Sequence, residues 1–164
     1  MAVKVSVVIP NYNGRKLLAK NLPAVFQACQ NWGKDLPAGR QVWEIIVVDD
    51  ASTDSSIAFL KKEYSLIKVV RHQQNQRFAM VCNSGVQAAQ GEVVILLNND
   101  VRPAINFLKP LLAHFENDDV FAVGCKEKQL KKGKAFFSGR GIMRFRRGLV
   151  VHWRAVDQDG KTTS

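Results

Sequence analysis

Three short apolar runs in the first hundred residues each stop abruptly in a polar or acidic cluster. Val5-Ser6-Val7-Val8-Ile9 ends in Pro10-Asn11-Tyr12-Asn13-Gly14, and Ile45-Ile46-Val47-Val48 ends in Asp49-Asp50-Ala51-Ser52. Val93-Val94-Ile95-Leu96-Leu97 ends in Asn98-Asn99-Asp100. Nearly uninterrupted apolar runs, separated by helix-length segments, are the pattern of parallel strands covered on both faces. In open sheets of that kind, ligands bind outside the carboxyl ends of the strands, where the strand order reverses. The chain therefore sends carboxylates and amides from three segments towards one crevice.

Local signals fill in the remaining elements. The first strand is expected over about residues 3–9, closed by Pro10, which has no N–H for a ladder. A helix is expected from about Arg15 to Asn31 with Leu17, Leu18, Leu22, Val25 and Phe26 on one face, broken or kinked at Pro23. Gly and Pro punctuate 32–42, which reads as a loop before a second strand from Trp43 to Asp49. Ser52 or Thr53 suits the cap of the next helix, with Asp54 in its first turn and an end near Tyr64. A third strand over Leu66–Val70 and a polar loop over His72–Gln76 lead to a helix from Phe78 to Ala89 that stops at Gly91. A fourth strand (Val93–Leu97), a helix entered near Pro103 and running to Glu116, and a fifth strand (Val120–Val123) follow. Beyond Cys125 glycines interrupt the pattern, and only Leu149–Trp153 resembles a strand. The alternation predicts an α/β fold with a mostly parallel sheet flanked by helices.

With 164 residues, 46% of them hydrophobic, the chain is large enough for one domain with a real core. Cys29, Cys82 and Cys125 lie far apart without metal-ligand spacing and read as reduced core residues. The N-terminus runs almost directly into a strand without a signal-peptide pattern, and no apolar stretch approaches spanning length. A cytoplasmic domain is expected, compatible with a peripheral place at the inner face of the cell membrane. Ten Lys or Arg between Lys126 and Arg154 face Glu127 alone, so nine of the ten net positive charges sit in that segment.

The acidic clusters are specific by position. Adjacent residues of an extended chain point to opposite sides, so one of Asp49 and Asp50 can brace the loop while the other enters the crevice and accepts a base N–H. Both also suit plain capping of the following helix. A diphosphate leaving group needs a divalent cation, and Mg²⁺ or Mn²⁺ takes oxygen ligands, often one or two carboxylates beside phosphate and water. Asp100 can be that carboxylate, with Asn98 or Asn99 on ribose or phosphate; an Asn-rich turn serving its own backbone is the other reading. Arg77 precedes a helix N-terminus, which favours anions, and can pair with a phosphate oxygen or stand as a solvated loop arginine. Gly85 inside that helix points either to close packing or to a tolerated defect. GxGxxG and Gly-Lys-Ser/Thr loops are absent, which removes the main support for dehydrogenase and ATPase readings. His72, His114 and His152 are scattered and suggest neither a zinc site nor a triad, and His114 is placed on a helix face.

Taken together, residues 6–14 (SVVIPNYNG), 45–53 (IIVVDDAST), the stretch from Asn75 through Arg77 to Asn83-Ser84-Gly85, and Gly91–Asp100 resemble glycosyltransferase family 2. The resemblance covers about residues 3–125. It implies a GT-A, Rossmann-like fold and inverting transfer of a sugar from a nucleoside diphosphate donor, dependent on Mg²⁺ or Mn²⁺. Carried over by position, it implies a donor-binding set of Pro10, Tyr12, Asp49, Asp50, Arg77, Asn98 and Asn99. Within that set Asp50 meets the base and Arg77 the diphosphate. Asn99 and Asp100 take the DxD positions, with Asp100 as the metal ligand. Asn98 stands where the family's first Asp is usual, which removes a negative charge.

An inverting transferase needs a general base for the acceptor hydroxyl. The resemblance places it in an acidic motif after a Gly-rich acceptor-side segment, and no such motif occurs before Ser164. The expected organisation is a nucleotide-sugar-binding core over 1–125 and a basic segment over 126–164 that begins an incomplete acceptor-side half. The implied acceptor is a saccharide or a lipid-linked molecule, in cell-surface polysaccharide or glycolipid synthesis. The segment 126–154 suits attraction to anionic headgroups. Two alternatives stand beside this: an inactive nucleotide-sugar-binding protein, and a nucleic-acid binder using the Lys, Arg and aromatic residues of that segment. The nucleic-acid reading leaves the acidic crevice unexplained.

Overall fold

The computed structural model describes residues 4–34, 43–131, 134–138, 141–146 and 149–154, with side chains described through 129 and at 135. The chain divides into two compact units, Met1–Pro110 and Leu111–Ser164. The first unit contains strands β1 (Val5–Asn11), β2 (Trp43–Asp49), β3 (Lys68–Arg71) and β4 (Val93–Leu96), with helices α1 (Arg15–Lys34), α2 (Ser56–Glu63) and α3 (Arg77–Ala88) between them.

All four strands pair in parallel in the order β3-β2-β1-β4. Val7 lies in register with Ile45 on one side and Ile95 on the other. The chain winds outward from β1 through β2 to β3, then crosses back over the sheet to place β4 on the far side of β1. Right-handed crossovers therefore put α1 and α2 on one face and α3 on the other. This double cover explains the apolar runs: Val5, Val7, Val8 and Ile45–Val48 are all at most 1% exposed. The order reverses between β1 and β4, so the segments after these two strands diverge and open a crevice at the sheet's carboxyl edge.

Pro10 does not end its strand. β1 continues to Asn11, with Pro10 in register with Val48. Alternate residues of β1 bond to opposite neighbours: the Val8 carbonyl accepts from Leu97 of the β4 side, and the Asn11 carbonyl accepts from Asp50 of the β2 side. Pro10 faces the β4 side beyond the last paired residue there, where its missing N–H removes no ladder bond.

α1 runs unbroken through Pro23 to Lys34, so Trp32, Gly33 and Lys34 are helical; the rest of the expected loop, 35–42, lies outside the described residues. Pro23 is exposed, where water can take the carbonyl freed by its missing N–H. Leu18, Leu22, Val25, Ala28 and Cys29 form the buried face, whereas Leu17 is 39% exposed, one step off that stripe. Gly91 is not the stop of α3, whose cap is the extended Ala89. A Cβ on Gly91 would lie 2.6 Å from the Ser6 backbone nitrogen, so the glycine admits β1, and its N–H donates to Ser6 Oγ.

The expected helix entered near Pro103 begins only at Leu108 (α4, Leu108–Ala113), with a 3₁₀ turn over His114–Glu116. Successive turns, Val101 N–H to the Asn98 carbonyl and Phe107 N–H to the Ala104 carbonyl, occupy the intervening backbone. The expected fifth strand does not form: 120–126 carry no regular structure, and Phe121 is 99% exposed. Cys125 lies in that irregular segment and is exposed, unlike buried Cys29 and Cys82. The second unit instead holds two antiparallel pairs, β5 (Glu127–Lys131) with β6 (Lys134–Ser138) and β7 (Gly141–Arg146) with β8 (Leu149–Arg154). Among the described residues, no helix is long and apolar enough to cross a membrane.

Candidate functional site

The two acids that end β2 have divided their tasks. Asp49, fully buried, accepts from Asn11 Nδ2 at 3.0 Å and from the Ser52 N–H at 3.1 Å. Ser52 Oγ accepts the Asn13 N–H at 2.9 Å, and Asn13 Oδ1 accepts the Thr53 N–H at 2.8 Å. Asn13 and Ala51 take left-handed backbone conformations, with φ of 49° and 60°, to make these bonds. Asp49 is thus a brace that ties the loop after β1 to the loop after β2. Ser52 and Thr53 are committed to this seam and do not cap α2. The helix starts at Ser56, whose N–H donates to Asp54 Oδ1 at 2.9 Å.

Asp50 points to the other side, as strand alternation requires. It is 3% exposed, yet three donors meet its carboxylate: the Gln76 N–H and His72 Nδ1 at Oδ1, both at 2.8 Å, and the Arg77 N–H at Oδ2, at 3.0 Å. Burial pushes the Asp50 carboxyl up, but the Gln76, His72 and Arg77 hydrogen bonds outweigh it and hold the group below the usual carboxylate range. Arg77 adopts φ 68° to present its N–H. The N-terminus of α3 is therefore already matched to an anion, the Asp50 carboxylate, and Arg77 brings its exposed guanidinium to the cleft separately.

Beyond β4, Asn99 is held on both sides. Its Nδ2 donates to Asn11 Oδ1 at 3.1 Å, and its carbonyl accepts from Asn21 Nδ2 of α1 at 2.9 Å. A Cβ on Gly14 would strike both Asn11 Oδ1 and Asn99 Nδ2, the two atoms of the Asn99–Asn11 bond, so the glycine leaves room for it. Asn98 and Asp100 flank Asn99 and are exposed.

These segments enclose a cleft of about 380 Å³, within the size range of small-molecule sites. Pro10, Tyr12, Asp50, Arg77, Asn98, Asn99 and Asp100 all line it. Asp49 does not, being the brace behind the wall. Asn75, Phe78 and Val81 line it as well, and Tyr12 and Phe78 present exposed rings. Two residues to which the sequence assigned no role matter: Asn21, which anchors the Asn99 loop, and His72, which joins Asp50 to Ser84. Gly85 is explained by packing, since a Cβ there would collide with Val8 Cγ1 in the sheet. His114 opens the 3₁₀ turn and is exposed, and the His152 side chain lies outside the described residues.

Among the described residues no three His, Cys, Asp or Glu side chains converge as a metal cage. The donor set at the β4 end, one exposed carboxylate beside two amides, fits a hard cation that arrives with phosphate and keeps water ligands. It does not fit a tightly held structural ion.

Comparison with known proteins agrees with this architecture. The family model described as glycosyl transferase family 2 matches residues 6–159. An undecaprenyl-phosphate 4-deoxy-4-formamido-L-arabinose transferase of Salmonella paratyphi B is 30% identical over 104 residues, 60% of this chain and 29% of that protein. The chain thus spans less than a third of the length of such curated relatives. Among solved structures, S. aureus TarS 1–349, also seen in complex with UDP and with UDP-GlcNAc, has a TM-score of 0.57 and 28% identity. That similarity covers 69% of this chain and about a third of TarS 1–349. The mannosyltransferase PcManGT of Pyrobaculum calidifontis, in complex with GDP-Man and Mn²⁺, has a TM-score of 0.60 at 23% identity and shares the fold over 73% of this chain.

Proposed function

Because the chain belongs to glycosyl transferase family 2, we propose that its cleft holds the nucleoside diphosphate sugar from which a glycosyl group passes, with inversion, to an acceptor hydroxyl. One observation carries this reading: Asp50 from the end of β2 and Asp100 from the end of β4 line a single cleft where the strand order reverses. The base meets the Asp50 carboxylate, which is ionised at neutral pH and can accept an N–H. Tyr12, exposed on the β1 loop, gives the base a ring to pack against. Asn99, immobilised by Asn11 and Asn21, offers a fixed amide to ribose or phosphate. Arg77 pairs with the diphosphate, and the charge it supplies grows in value as that group leaves.

Asp100, with Asn98 beside it, would hold the divalent cation. When bound, Mg²⁺ or Mn²⁺ neutralises the diphosphate oxygens and stabilises the leaving group. The acceptor hydroxyl must lose its proton to a general base as it attacks, and we assign no residue of this chain to that role. The acceptor is a saccharide or a lipid-linked molecule, and the undecaprenyl phosphate in the name of the Salmonella relative favours the second. The basic residues of 126–154 suit an approach to anionic headgroups.

Isothermal titration of the chain with UDP, dTDP and GDP, with and without Mn²⁺, tests the assignment. Asp100→Ala is expected to abolish the Mn²⁺-dependent part of the affinity. Asp50→Ala is expected to weaken binding about tenfold or more with or without metal, the value of a hydrogen bond to a charged group. Unchanged affinity in both variants removes the site.

A further inference from the structure

Asp50 cannot offer both oxygens equally to a ligand. A carboxylate has about four acceptor positions. On Oδ1 both are taken, by His72 Nδ1 and the Gln76 N–H at 2.8 Å each; on Oδ2 the Arg77 N–H, at 3.0 Å, takes one. One position remains, on Oδ2. His72 is the side chain that creates this asymmetry, because the other two donors are backbone groups that any residue would supply.

The imidazole is itself fixed at both ends. Its side chain is 9% exposed, and Nε2 lies 2.9 Å from Ser84 Oγ on α3. Its backbone N–H donates to the Asp49 carbonyl at 2.8 Å, so the ring is rooted in the brace. An ionised carboxylate has no hydrogen to give, so Nδ1 carries the proton in this contact. The Ser84 hydroxyl, able to donate or accept by rotation, satisfies Nε2 whether or not it is protonated. With Oδ1 saturated, the carboxylate is held against rotation.

We propose that His72 is a specificity-determining positioning residue: by filling Oδ1 it leaves Asp50 a single open acceptor position, which selects a donor base with one imide N–H. Uracil and thymine have that N–H alone on the edge concerned. Guanine presents two neighbouring donors, N1–H and the 2-amino group, which match a carboxylate with one open position on each oxygen. Removing the His72 donor would produce that second arrangement. The proposal deepens the donor-cleft reading and rests on it.

The test is titration of the full chain with UDP, dTDP and GDP in the presence of Mn²⁺. Wild type is expected to prefer UDP and dTDP over GDP. His72→Leu leaves the Oδ2 position in place and opens one on Oδ1, so the preference for UDP over GDP should fall about tenfold, the value of one further hydrogen bond to a charged group that guanine can make and uracil cannot. His72→Asn, whose amide nitrogen can stand where Nδ1 stands, should keep most of the preference, and His72→Gln, whose amide stands nearer Nε2, should not. This Asn–Gln contrast serves equally if His72→Leu does not fold. A merely structural role would weaken all three nucleotides alike in every variant, and that result overturns the proposal, as does an unchanged preference in His72→Leu. Nitrogen-15 NMR of the ligand-free chain gives a readout independent of binding: Nδ1 should carry the proton, and an unprotonated Nδ1 overturns the proposal while leaving the donor cleft standing. A wild type that binds none of the three nucleotides removes the donor-cleft reading and this one together.

Discussion

Gly85→Ala adds one methyl group, and the structure gives its consequence a sign opposite to helix propensity. In an exposed helix interior the change stabilises by about 1 kcal/mol. Here the new Cβ would collide with Val8 Cγ1 and lie 3.1 Å from Val48 Cγ2 and 3.3 Å from Val8 Cβ. Val8 and Val48 are fully buried in neighbouring strands, paired into the sheet on both sides, so neither can retreat without displacing its backbone. Overpacking of this kind costs roughly 1–3 kcal/mol and occasionally more; from the upper part of that range, less the propensity gain, we expect a net loss of about 2 kcal/mol. Urea denaturation at fixed pH should show it as a lower midpoint with an unchanged slope. The double variant Gly85→Ala, Val8→Ala removes the colliding atom, so its loss should fall below the sum of the single losses. α3 also delivers the Gln76 and Arg77 N–H groups to Asp50, so nucleotide affinity should fall with the single variant and recover in the double. A stabilised Gly85→Ala, or strict additivity, would refute the packing argument.

Two further outcomes follow from the backbone and charge of the same loop. Arg77→Gly removes a side chain from a left-handed conformation, so thermal unfolding should shift upward, by about 1 kcal/mol, while Mn²⁺-dependent nucleoside diphosphate affinity falls; loss of both together would contradict the division between strain and binding. The folded-state pKa of Asp50 is depressed, so its ionisation contributes stability that is present above the unfolded value near pH 4 and is lost as pH falls through the lower folded value. The stability gap between wild type and Asp50→Asn should therefore be full at neutral pH and shrink below about pH 4, as followed by urea titrations across the acid range.

The sheet and the ends of its strands were legible because double burial leaves a pattern that a single sequence shows directly. β2 spans the expected Trp43–Asp49 around its apolar run, and Asp49 and Asp50 point to opposite sides, as extended chain dictates. The start of α2 was misread because Ser52 and Thr53 are sound capping residues whose polar groups went instead to Asn13, some forty positions away in sequence. His72 and Asn21 were missed for the same reason: their value lies in partners at Asp50 and at the Asn99 carbonyl, brought near only by folding. Of the strands after residue 126, β8 matches the run read at Leu149–Trp153, whereas β5, β6 and β7 escaped because the glycines around them looked like loss of pattern. The pairings Lys131 with Lys134 and Arg146 with Leu149 leave two residues between strands, the spacing of a tight hairpin. Pro10 was taken for a terminator because a sequence does not say which neighbour a strand residue faces.

The most direct measurement is a crystal structure of the chain with a bound nucleoside diphosphate and Mn²⁺, the metal located by its anomalous scattering. We expect the base within hydrogen-bond distance of Asp50 Oδ2, the diphosphate beside Arg77, and the metal between Asp100 and the phosphate oxygens. A nucleotide seated away from the β1–β4 reversal, or bound there with neither Asp50 nor Asp100 touching it or its metal, would contradict the account.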